Sequence, residues 1–305
     1  MKIVFIILVL PILLYSEYLY VGSQNQTGST DGVIQIEDIT KTLSTALKVD
    51  DTNIIVDIPI YVKTDSLKEV VLNISNIANL KNSSNEEINT ELYWVAGGVE
   101  TTINEASDFT ILNAFSGDRD GNTVVGYIRV KIPSVESSQT DGSYSFTDKI
   151  KTGLKFLGGA SYSSDSDFTF NSEVALVAVA SFLDTSSYKE GQKFVGGMVD
   201  FGTFSFDVNT KTKNLYIKSN STKTFKITFT NTPALTHESD NTQTINVNYY
   251  FNDTQITANN PFTPLIGKSD GTSSLGTLKF QTEAISGSKL AGTYRATVNV
   301  SITLE

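Results

Sequence analysis

The chain of 305 residues carries 23 lysines and arginines against 33 aspartates and glutamates, a formal net charge of −10. That balance lacks the basic face a phosphate backbone requires, so no nucleic acid partner is expected. With no cysteine and one histidine, disulfides, thiol nucleophiles, thiolate metal sites and His-rich metal clusters drop out, no cofactor is expected, and the usual enzyme mechanisms lose their residues.

The chain opens with Met1-Lys2 and the apolar run Ile3 to Leu14, with Glu17 behind it. This is the length of a signal-peptide core, and it predicts an exported protein with residues 1–16 as leader and 17–31 as an N-terminal extension. The alternative is a retained anchor, in which Tyr18, Leu19, Tyr20 and Val21 prolong the apolar segment into an interfacial belt. In both cases the body lies outside the cytoplasm. Next, Thr40 to Val49 is a short stretch with helical spacing, placing Leu43, Ala46 and Leu47 on one face.

The rest reads as period-2 strands broken by Gly, Asn, Asp and Ser clusters, an all-β pattern. Phe225, Ile227 and Phe229 alternate with polar residues, as do Ile245, Val247, Tyr249 and Phe251, and the last strand puts Tyr294, Ala296, Val298, Val300, Ile302 and Leu304 on one face. Several strands have a partner half a chain away. Ile60–Asn76 lies over Leu215–Asn231, with Tyr61/Tyr216, Lys63/Lys218, Ser66/Ser221, Lys68/Lys223 and Asn76/Asn231 identical. Ile88–Trp94 answers Ile245–Phe251, and Val124–Lys155 matches Ser274–Glu305 without a gap, with Gly126/Gly276, Gly142/Gly292 and Tyr144/Tyr294 identical. Ordered self-similarity of this kind predicts a duplicated fold. We expect two tandem immunoglobulin-like antiparallel β-sandwich domains, at 32–157 and 173–305, joined by a linker at 158–172. Val174–Leu183, apolar without clean alternation, is either the first strand of the second domain or a strand donated into the first.

Phe225–Thr236, with its Thr-Pro-Ala-Leu-Thr turn, and the terminal Ala291-Gly-Thr-Tyr294 strand resemble the subunits of chaperone-usher fimbriae. The likeness is greatest to the alpha-class colonisation-factor pilins, and spore-coat-U-like pilins also end on a Gly-x-Tyr strand. It covers residues 205 to 305, and the repeat extends a weaker version to the first domain through Asp141-Gly-Ser-Tyr144. The resemblance implies a non-enzymatic fimbrial subunit exported through the periplasm to the cell surface. Its implied partners are other fimbrial subunits, a periplasmic chaperone, an outer-membrane usher and a host glycan or protein receptor. Two domains in tandem are characteristic of the tip adhesins of such fibres, which favours a minor or tip type. A secreted carbohydrate-binding sandwich outside any pilus is the alternative.

If each domain ends on its Gly-x-Tyr strand (Gly142 and Tyr144, Gly292 and Tyr294), each sandwich lacks a closing strand and leaves an apolar groove for strand addition. Val33, Ile34, Ile36 and Ile39 are the candidate donor to another subunit. Val174, Leu176, Ala178, Ala180 and Phe182 are the candidate donor to domain one within the chain.

Other candidates have simpler readings. Asp118-Arg-Asp-Gly-Asn122 looks like part of a calcium loop, but Arg129 stands where a bidentate Glu belongs, and Asp120-Gly121 and Asp270-Gly271 read as turns. His237 is expected in an exposed loop. Of the aromatic pairs Tyr93-Trp94 and Tyr249-Tyr250, alternation sends one member each into the core.

Overall fold

The computed structural model describes residues 19–24, 34–64, 69–75, 77–104, 107–112, 120–146, 150–156, 165–182, 194–195 and 197–305. The expected leader and Val33 lie outside them. Two compact units emerge. Unit 1 is built from Met1–Ser44, Thr52–Ser134 and Tyr144–Ser172, and unit 2 from Thr45–Asp51, Val135–Ser143 and Glu173–Glu305.

The strands of the first half are β1 (Leu19–Gly22), β2 (Ile34–Ile36), β3 (Ile39–Thr42), β4 (Thr52–Thr64), β5 (Val70–Ser75), β6 (Leu80–Lys81) and β7 (Glu87–Ile88). They continue with β8 (Glu91–Ala96), β9 (Val99–Thr102), β10 (Ser107–Leu112), β11 (Asp120–Ser134), β12 (Gly142–Phe146), β13 (Ile150–Phe156) and β14 (Asp165–Val174). One sheet runs β2-β1-β4-β11-β8-β9 and the other β10-β5-β13-β14-β12-β6-β7, with β3 pairing β14 in parallel. Alternation explains the packing: Ile58, Ile60 and Val62 of β4 and Ile128, Val130 and Ile132 of β11 are buried, while Asp57, Arg129 and Lys131 lie on the outer face. There Arg129 holds Asp57 and Glu100 in ion pairs of 2.6 Å each, and the Asp57 carboxyl is kept below the usual carboxylate range by the Arg129 hydrogen bond.

The second half contains β15 (Ala178–Ser181), β16 (Phe194–Val195), β17 (Thr210–Ser219), β18 (Thr224–Phe229), β19 (Leu235–His237), β20 (Thr244–Ile245), β21 (Val247–Phe251) and β22 (Thr254–Gln255). It ends with β23 (Phe262–Ile266), β24 (Ser269–Asp270), β25 (Gly276–Thr282), β26 (Tyr294–Arg295) and β27 (Val300–Leu304). The sheet β16-β15-β17-β25-β21-β22 faces two short ones, β23-β18-β27 and β20-β19-β26. Leu215, Ile217, Phe225, Ile227, Phe229, Tyr249 and Leu278 form the core.

The halves share pairing registers residue for residue in one sheet. Ile60 opposes Gly126 as Leu215 opposes Gly276. Ile128 opposes Trp94 as Leu278 opposes Phe251, and Tyr20 opposes Lys63 as Val179 opposes Lys218. Even a packing detail repeats. A Cβ on Gly126 would come within 2.4 Å of the Trp94 ring, and one on Gly276 within 2.5 Å of the Phe251 ring. Each glycine lets an aromatic ring lie flat on the neighbouring strand. Gly126→Ala should therefore destabilise unit 1 by about 1–3 kcal/mol through overpacking. Trp94, the single tryptophan, reports unit 1 by fluorescence in urea; an unshifted midpoint would show that the ring has free space to move into.

Several expectations change. Leu19–Gly22, placed in the N-terminal extension, is a core strand, because its Leu-Tyr-Val pairs with β4 and is buried there. The stretch with helical spacing begins as strand, since Ile39–Thr42 has β14 beside it to pair with. Residues 165–172, placed in the linker, are strand, because Ser166, Phe168, Phe170 and Ser172 alternate into the core of unit 1. The terminal strand is interrupted between β26 and β27.

Candidate functional site

The second sheet of unit 1 and the two short sheets of unit 2 correspond strand by strand, apart from one member. In unit 1 the order is β10-β5-β13-β14-β12-β6-β7; in unit 2 it is β23-β18-β27, then β26-β19-β20. Leu80 opposes Ile88 as Leu235 opposes Ile245, which fixes the correspondence of the outer strands. Where β14 joins β13 to β12, nothing among the described residues joins β27 to β26. The equivalents of β5 and β13 have also slipped by two residues: Leu72 opposes Leu154, whereas Ile227 opposes Ile302.

The vacant place is a groove of about 1040 Å³. Phe182, Phe229, Tyr249 and Phe280 line it from the core, with the Phe229 ring 6.1 Å from Phe182 and 6.2 Å from Tyr249. Tyr294, Ala296, Val298 and Val300 line it from the terminal segment, together with Met198, Val199, Phe201 and Phe206 from the stretch before β17. Met198 is 78% exposed and Phe206 74% exposed, large apolar side chains left open to solvent beside the groove. One polar group on its wall is satisfied within the unit. The Tyr249 hydroxyl donates to the Pro233 carbonyl at 2.7 Å, and burial pushes its pKa up to about 12.

The missing strand accounts for the unequal Gly-x-Tyr motifs. Tyr144 is 1% exposed; its hydroxyl donates to Glu86 at 3.2 Å and accepts from Asn82 at 3.2 Å. Tyr294 is only half-buried, although its hydroxyl donates to the Leu290 carbonyl at 3.0 Å. His237, expected in an exposed loop, is buried on β19 because the terminal segment lies over it: its ring meets Tyr294 edge-on at 4.9 Å. A Cβ on Gly292 would fall 2.1 Å from His237 Nε2, so glycine is required at that crossing. The sequence reading did not place His237 beneath the terminal segment.

The candidate donors are placed as follows. Ile34–Ile36 pairs β1 in parallel, and Ile36 and Ile39 are buried in unit 1. In this structure the segment packs in its own unit, with Ile36 and Ile39 in apolar sites there. Val174 ends β14 and bridges Leu47; Leu176 is exposed. Ala178 and Ala180 belong to β15, which pairs β17, and Phe182 joins the core of unit 2. The segment that fills unit 1 is Asp165–Ser172 instead. Its alternating Phe168 and Phe170 match the slot, whereas Ala178–Ser181 is bonded into unit 2. Trp94 and Tyr249 point inward and Tyr93 and Tyr250 outward; Tyr93 donates to Glu91 at 2.7 Å, and the Lys279 ammonium sits 4.6 Å from the Tyr250 ring centre. Asp120 and Asp270 accept backbone hydrogen bonds from Asn122 and Thr272, as turn residues do.

No protein-family model matches the sequence, and neither does any curated protein. Among solved structures, the chain is similar to the CsuC–CsuE chaperone–tip adhesion subunit pre-assembly complex from archaic chaperone-usher Csu pili of Acinetobacter baumannii. The identity is 15% and the TM-score 0.48, over 86% of this chain and 97% of that one. It is also similar to the CupB6 tip adhesin from Pseudomonas aeruginosa, at 9% identity and a TM-score of 0.36 over 85% and 88%. The CooA pilin subunit from enterotoxigenic Escherichia coli matches at 12% and 0.31 over 52% and 98%. The all-β fold expected from the sequence is what the described residues show.

Proposed function

We propose that this chain is a non-enzymatic fimbrial subunit of tip or minor type, exported through the periplasm and held on the cell surface by donor-strand complementation. The observation that carries the reading is the single-strand deficit of unit 2. Unit 1 holds β14 between β13 and β12, and unit 2 keeps both flanking strands with an apolar groove beside them. An extended segment from another subunit supplies the main-chain hydrogen bonds that the open edges lack, and its alternate side chains fill the groove. Before assembly, a periplasmic chaperone covers the groove and an usher exchanges it for the donor. Among the described residues no extended segment is left over to donate in turn, since Ile34–Ile36 and Ile39–Thr42 are both paired in unit 1. That supports a tip position, with unit 1 presenting the surface that meets a host glycan or protein.

Immunogold labelling of intact cells with antibody to unit 1 tests this. Label concentrated at fibre ends, and lost from cells lacking the gene, is expected. Regular label along the fibres would make the chain a shaft subunit, and label on released protein alone would favour the secreted carbohydrate-binding module.

A further inference from the structure

One wall position of the filled slot has a much smaller counterpart in the open slot. In unit 1, Phe146 of β12 packs its ring against both inward phenylalanines of β14, 5.6 Å from Phe168 and 5.8 Å from Phe170. The ungapped match that pairs Tyr144 with Tyr294 and Thr147 with Thr297 pairs Phe146 with Ala296. Ala296 lines the groove and is exposed. The open slot therefore lacks a benzyl group that the filled slot uses to close around its strand.

Resting on the acceptor reading above, we propose that Ala296 is a specificity-determining residue of the groove. It selects an incoming strand whose inward residue beside it is larger than the phenylalanines of β14, an indole-sized side chain in an otherwise alternating apolar segment. Volume complementarity is the physical reason. A phenylalanine-bearing strand opposite Ala296 leaves a void lined by apolar atoms, and unfilled apolar volume weakens a packed interface as it weakens a core. The same difference separates the two slots. A strand shaped for unit 1 fits unit 2 poorly, so β14-like segments of neighbouring copies are discriminated against, and a bulky donor cannot enter beside Phe146.

The test uses the full chain and synthetic peptides, with the β14 sequence Asp165–Val174 as reference and the same peptide carrying Phe168→Trp or Phe170→Trp as probes. Unit 1 holds its own strand, so binding reports the open groove. For the unaltered chain, the better of the two tryptophan peptides should bind roughly tenfold tighter than the reference, from the extra apolar area buried. In Ala296→Phe the order should reverse, and Ala296→Leu, a milder filling of the same exposed position, should fall between. Tryptophan and reference peptides binding equally, or an order unmoved by both substitutions, would overturn the specificity role while leaving the acceptor groove standing. Failure of every peptide to bind the unaltered chain would overturn the acceptor reading and this inference with it.

Discussion

Phe170→Ala is expected to lower the stability of unit 1 by about 3–5 kcal/mol, the range for truncating a large buried aromatic side chain. Phe170 is fully buried, and its ring and that of Phe168 are the apolar anchors of β14 against Phe146. Phe168→Ala should act in the same direction, and the pair together should loosen β14 enough to make unit 1 resemble unit 2. Urea unfolding followed through Trp94 fluorescence measures it, since Trp94 lies in the core of unit 1. The companion measurement is binding of a dye specific for exposed apolar surface, which should rise as the slot opens. A midpoint unchanged in Phe170→Ala would mean that β14 is dispensable, and the contrast between the units would lose its meaning.

Ile36→Asp should be costlier still, above about 4 kcal/mol, because it forces a carboxylate into a site without a partner. Ile36 is 4% exposed, on a strand in parallel register with β1. The segment containing it alternates like a free donor, and its pairing with β1 in unit 1 gives it a competing, structural role. Chemical denaturation of the purified variant decides between the roles. Loss of the folded baseline of unit 1 agrees with the structural role; a fully stable variant that has stopped joining other subunits would return the segment to service as a donor.

How far the sequence could be read depended on whether a pattern was local. The strands at Thr224–Phe229 and Val247–Phe251 and the repeat were visible as alternation, because a half-buried strand writes its environment into every second residue. Matched pairs such as Gly126 with Gly276 proved to mark equivalent contacts as well as equivalent strands. What remained hidden was which alternating segment fills which slot. Asp165–Ser172 sits in a Ser- and Asp-rich setting that resembles a connector, and only the pairing with β13 shows why its two phenylalanines are spaced as they are. Ala178–Ser181 has no such signature: Ala180 faces the core of unit 2 while Val179 packs with Val49 and Val177 on the other side, so both faces are covered by residues distant in sequence. His237 was misplaced for the same reason, since what buries it is a segment more than fifty residues later, Ala291 to Tyr294.

The asymmetry between the units has a consequence in polymer terms. On the proposed function, a building block that accepts one strand and gives none in return has a valence of one. It would join a growing chain of subunits once, through unit 2, while unit 1, whose slot holds β14, takes no further strand. Such a block sets the number of chains rather than their length: doubling its supply at constant supply of two-ended subunits gives more fibres, each shorter.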